Sequence, residues 1–197
     1  MREISPAVGI SVDDFLTIGS SEEIRRIVDE VRRQKQAGTR LRPSTSVIDQ
    51  STLMTKEHRL KLLDAVAALV DENYCGRSEM CIQYADLLNR ALAYLQFPSR
   101  AVLGTATYYS PDGNVLHEWG HAWVRIGDEV VDGNVDSIPE NPLVPKNVIV
   151  DPYWGPIREM PSNRRLRETI GSRMPEDVDV NGLWWPDLKA WIDSDLQ

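Results

Sequence analysis

Apolar positions recur along this chain first with a helical period and later with a strand period. Ser20 followed by Glu23 forms a capping box, and Ile24, Ile27, Val28 and Val31 make an apolar stripe behind it, which predicts a helix to about Gln36. Residues 37–56, rich in Ser and Thr with one Gly and one Pro, read as a loop. A second stripe, Leu60, Leu63, Val66, Ala67 and Val70, predicts a helix from about Thr55 to Glu72. The third predicted helix, about Glu79 to Gln96, is apolar nearly all round; only Gln83, Asp86, Asn89 and Arg90 interrupt it. Such a helix belongs at the centre of a fold. Ser78 stands where an N-cap would, and Pro98 cannot continue the helix.

The period then changes. Arg100 to Tyr109 reads as a strand, and Pro111-Asp112-Gly113-Asn114 as a turn. His121 to Ile126 and Glu129 to Asp132 read as a hairpin joined by Gly127-Asp128. Residues 137–162 are proline-rich, with one short predicted strand at Asn147 to Val150. An Arg-rich helix is predicted near 163–172, then a Trp-rich segment from Gly182 and a short helix to about Asp193. Helices first and antiparallel strands after them indicate an α+β fold. With no convincing linker, residues 1–197 read as a single domain: a helical part over 1–75, a core over 78–136 and a C-terminal wrap over 137–197.

Composition narrows the partners. The chain has 197 residues, 42% hydrophobic and 26% charged, so it can bury a sizeable core without disulfide staples. A net charge of −8 makes nucleic acid a poor partner. Arg158, Arg164, Arg165, Arg167 and Arg173 form a local exception, read as a solvated helix face. No stretch reaches the length of a membrane span or a secretory signal, which points to a cytoplasmic protein. Two cysteines, Cys75 and Cys81, make neither a disulfide framework nor a zinc pattern, and Cys75 is read as incidental.

Cys81 falls in the first turn of the central helix, where the helix dipole favours an anion and hence a thiolate nucleophile. A thiolate needs a base, and the chain offers only His58, His117 and His121. His58 lies on the polar side of an early helix. His121 opens the hairpin. With Gly127 and Asp128 as its two loop residues, Asp132 pairs with Trp123 and Asn134 with His121. His121, Trp123, Asp132 and Asn134 then share one face, with Asp132 diagonal to His121 and able to fix its tautomer.

The segment from Cys81 to Gly104, with Ala85, Pro98 and Arg100 between, resembles the core motif of the transglutaminase-like superfamily, at offsets 0, 4, 17, 19 and 23. His121-Ala122-Trp123-Val124 resembles its second motif, and Asp132 stands where the next strand supplies the third member. The resemblance spans about residues 78–136. It implies a papain-like Cys81, His121, Asp132 triad on a helix packed against an antiparallel sheet. Two positions depart from the family pattern: Glu79 replaces a frequent glycine, and Gly133-Asn134 replace Pro-Thr. Asp136 and Asp151 stand in reserve for the third role.

A rival pattern overlaps this one. His117-Glu118-Trp119-Gly120-His121 matches H-E-x-x-H, the zinc-peptidase signature, with Glu140 as a third ligand candidate. That reading needs a helix, whereas Gly120 and the following Ala-Trp-Val-Arg-Ile favour a strand. A non-catalytic scaffold is a third alternative. The thiol reading predicts a cysteine-dependent amide hydrolase, acting on peptide or protein amides through a thioester. It requires no metal or other cofactor and no nucleic acid or membrane partner. The Cys81 N–H would serve one half of the oxyanion hole, with Asn73 or Gln83 as guesses for the other. Trp123 would shield the pair from water, and Trp154, Trp184, Trp185 and Trp191 are read as packing anchors.

Overall fold

Thr55 caps the first described helix: its hydroxyl accepts the His58 N–H at 3.2 Å. That helix, α1 (Lys56–Asn73), turns its stripe of Leu62, Leu63, Val66 and Val70 inward against α2 (Cys81–Tyr94). The computed structural model describes residues 51, 53–73, 77–141, 144–172, 174 and 179–196. The helix predicted over 20–36 and Cys75 lie outside them. The remaining elements are β1 (Ser99–Tyr109), β2 (Val115–Ile126), β3 (Glu129–Asp132), a 3-10 turn (Val135–Glu140), β4 (Tyr153–Pro156), a second 3-10 turn (Ile157–Glu159), β5 (Arg164–Glu168) and α3 (Asp179–Asp195). They make an α+β fold around a curled, five-stranded antiparallel sheet of order β4-β3-β2-β1-β5.

The register separates the two sheet faces. The hairpin pairs Ile126 with Glu129, Arg125 with Val130 and Val124 with Val131, as the two-residue loop predicts. Ala122, Val124, Ile126 and Val131 face α2, the most buried helix, whose Leu87, Leu88, Ala91 and Leu92 exclude water almost completely. Each such leucine contributes about 1.5–3 kcal/mol. The opposite, inner face carries Val102, Gly104, Ala106 and Tyr108 of β1 against Trp123, His121, Trp119 and His117 of β2. Asp132 and Arg164 join this face from β3 and β5. The segment after β3 covers it with Val135, Ile138, Val144 and Val148.

Several sequence expectations need correction. α2 begins at Cys81 with Met80 as its N-cap, not with Ser78, because Glu79 has φ of 64° and cannot be the first residue of a right-handed helix. β2 begins at Val115, so His117 and Glu118 lie in a strand, not in a loop before one. Asn147 to Val150 is not a strand; a turn from Pro145 to Val148 uses its backbone, and the fourth strand is Tyr153–Pro156. The Arg-rich segment is strand β5, not a helix: Arg164 and Leu166 point inward while Arg165 and Arg167 are exposed, a period of two. α3 runs through Pro186 and absorbs the Trp-rich segment. No helix among the described residues is long and apolar enough to cross a membrane.

Candidate active site

Cys81 is the first residue of α2. At that position its backbone N–H has no acceptor within the helix. Tyr84, one turn on, ties the start of the helix to its neighbours. Its hydroxyl donates to the Leu63 carbonyl at 3.1 Å, and its ring fills the space a side chain at Gly133 would need. Gly133 directly follows β3, so the mouth of α2 sits at the end of the strand that carries Asp132. A dense set of bonds holds the approach to Cys81. The Arg77 guanidinium forks onto Asp136 through two bonds of 2.6 Å, and Asn134 and Ser137 donate to the Arg77 carbonyl. Glu140 accepts the N–H groups of Arg77 and Ser78 at 3.0 Å. Glu79 has φ of 64°, the left-handed region that favours glycine, at the position where the resembled motif often carries one. Asn141 steadies it with a 2.9 Å bond to its carboxyl, which burial pushes to a raised pKa.

His121 stands on the inner face of β2, and its Nε2 meets Asp132 Oδ1 at 2.7 Å. Trp119 stacks on one side of the ring at 5.8 Å and 12°, and Trp123 on the other at 6.1 Å. The opposite nitrogen, Nδ1, makes no directional hydrogen bond among the described residues. Besides Asp132, the Cys81 sulfur lies near enough to the imidazole to act on it and help raise its pKa. All three residues are nearly sealed: Cys81 is 4% exposed, His121 2% and Asp132 1%. Gly104 makes this packing possible, because a Cβ there would stand 2.1 Å from the Arg167 carbonyl and 2.5 Å from Trp123.

The charges follow from burial and pairing. Burial disfavours the imidazolium, but Asp132 and then Cys81 outweigh it, and the His121 pKa rises from 6.5 to about 10. Burial likewise opposes ionised Asp132, yet His121 and Arg164 hold its pKa below the usual carboxylate value. An imidazolium and a carboxylate therefore coexist here at neutral pH. The Tyr108 hydroxyl, fully buried nearby, is pushed far up by burial and by Asp132, so it stays neutral. Its oxygen and the Trp119 indole nitrogen lack hydrogen bonds of good geometry among the described residues.

Of the residues singled out in the sequence, the structure brings Cys81, His121 and Asp132 together. The reserves lie elsewhere: Asp136 is spent on Arg77, and Asp151 meets Arg164 through its backbone carbonyl. Asn73 turns its amide back to Leu69, and Gln83 follows Cys81 by about 200° of helix turn, on the far side. Neither is placed as an oxyanion donor. The H-E-x-x-H pattern is corrected too. His117 and His121 lie four residues apart on a strand, about 13 Å along it. The Trp119 ring stands between them, and Glu118 bonds Thr107 at 2.6 Å on the other face. This does not fit two ligands of one ion. Sequence reasoning missed Arg164, Tyr108 and Trp119. An inward period-two position in β1, β2 or β5 was the available signal.

Compared with family models, curated proteins and solved structures, the chain matches none.

Proposed function

We propose that the chain is a cysteine-dependent amide hydrolase, of the peptidase or deamidase type, with a papain-like core of the transglutaminase-like kind. One observation carries this reading. An imidazole is held by a carboxylate at 2.7 Å through one nitrogen, while a thiol at a helix mouth acts on the same ring. In the proposed reaction the Cys81 thiolate attacks an amide carbonyl carbon, and the carbonyl π electrons move to oxygen. The Cys81 backbone N–H helps to hold that oxyanion. As the oxyanion collapses, the C–N bond breaks and the His121 imidazolium protonates the departing amine. A thioester remains. Neutral His121 then takes a proton from water as its oxygen attacks the thioester carbonyl, and the C–S bond breaks to release the acid. Asp132 holds the ring in the tautomer both steps need.

The burial of Cys81 favours one second reading, a binding scaffold in which the three residues only pack. Acyl trapping separates the two. Incubation with p-nitrophenyl acetate should leave an acetyl group on Cys81, found by mass spectrometry, with a burst of p-nitrophenolate. Cys81→Ala should give neither while melting as the native protein does. A native chain that never acquires the acyl group belongs to the scaffold reading.

A further inference from the structure

The inner face buries more charge than a thiol, an imidazole and a carboxylate. Arg164, 4% exposed, enters from β5 and places Nη1 3.3 Å from Asp132 Oδ2, the oxygen His121 does not use. Its Nη2 bonds the Asp151 carbonyl ahead of β4, and its Nε bonds Asn163 at 3.4 Å. One guanidinium thus ties β5, the end of β3 and the approach to β4 around a single carboxylate. The balance of charge matters because none of these groups reaches water. In the proposed reaction a thiolate, an imidazolium and a carboxylate sum to one excess negative charge, which Arg164 would cancel. An uncompensated buried charge is strongly disfavoured.

We infer that Arg164 is the positioning residue of the site: it fixes the rotation of the Asp132 carboxylate by holding Oδ2 and closes the charge balance that lets a Cys81–His121 ion pair form in a dry interior. This rests on the thiol reading proposed above. Its sign is definite. A cation favours the deprotonated form of every neighbour, so its loss raises the pH at which each gives up a proton. The ionisable groups around Asp132 are His121 from β2, Tyr108 from β1, Tyr153 from β4, Cys81 from α2 and Arg164 itself. Among the described residues, Arg164 is the only permanent cation in that set. Lysine at 164 would keep the charge but lose the fork.

The test is the pH profile of Cys81 alkylation by iodoacetamide, which needs a thiolate but forms no oxyanion. In Arg164→Gln both limbs should move to higher pH by about one unit or more, and in Arg164→Lys they should stay near their native positions. Limbs of a folded Arg164→Gln that overlay the native profile overturn the inference. So do Lys limbs displaced as far as those of Gln, since shape rather than charge would then be the cause. If Arg164→Gln does not fold, Asp132→Asn compared with Asp132→Asn/Arg164→Gln reads the same displacement without an orphaned carboxylate. A native protein whose alkylation ignores His121 would sink the thiol reading alone. NMR titration of His121 in native and Arg164→Gln protein then decides for Arg164: an upward shift supports it, and an unmoved titration overturns it.

Discussion

Asp132 and Asp136 lie four residues apart, both buried and both facing a buried arginine, yet they make opposite kinds of site. Asp136 gives both oxygens to one guanidinium, with two bonds of 2.6 Å to Arg77. The result is a closed strut that fixes the loop before Cys81. Asp132 divides its oxygens, Oδ1 to His121 and Oδ2 to Arg164. Its imidazole partner can release a proton as pH climbs through about 10, which a guanidinium does not. In the proposed reading, the same acid in the same kind of burial serves as scaffold or in chemistry according to whether a titratable group shares it.

Substitution should separate the two carboxylates cleanly. Asp132→Asn keeps the shape but withdraws the charge that sustains the imidazolium. The rate of Cys81 alkylation at pH 7 should fall by about 10–30-fold, toward that of an ordinary thiol, which is only a few per cent ionised at that pH. Asp136→Ala should do the reverse. It strands Arg77 in the interior and should cost about 3–5 kcal/mol in urea unfolding, while the surviving folded molecules alkylate normally. If Asp136→Ala slowed alkylation as much as Asp132→Asn, the distinction between strut and chemistry would be lost.

A pH series sharpens the same contrast. His121 is raised to about 10 in the folded chain, so its stabilising effect is complete below 6.5 and fades as pH climbs through about 10. Asp132 is lowered, so its effect is present above 3.8 and fades as pH falls through its folded value. The melting-temperature difference between native protein and His121→Asn should therefore be widest between about pH 4 and 6.5. It should narrow on both sides, whereas Asp136→Asn should show no alkaline narrowing. The smallest effect belongs to Arg165, the exposed neighbour of Arg164. Arg165→Ala should change stability by no more than about 0.5 kcal/mol and leave alkylation untouched.

The parts of the fold readable from sequence are those with a strong local period. α1, α2, β1 and the β2–β3 hairpin follow from their apolar spacing. The two-residue loop set the register that puts Asp132 diagonal to His121. β5 escaped because a run of arginines suggests solvent, and only one of its alternate positions is apolar. β4 escaped because Pro152, Gly155 and Pro156 look like loop chemistry, although an edge strand tolerates them. The Cys81, His121 and Asp132 constellation was readable because each sits on a periodic element. Arg164 was not, since its role exists only where β5 folds back beside β1, a pairing with no local signal.

The most direct test of the central claim is the rate at which iodoacetamide modifies Cys81 at pH 6, in native protein and in His121→Ala. A thiolate paired with an imidazolium should react well above an unstructured cysteine peptide at that pH, and the His121→Ala rate should collapse to the peptide value or below. Equal rates in native protein and His121→Ala would show that the sulfur and the imidazole do not work together.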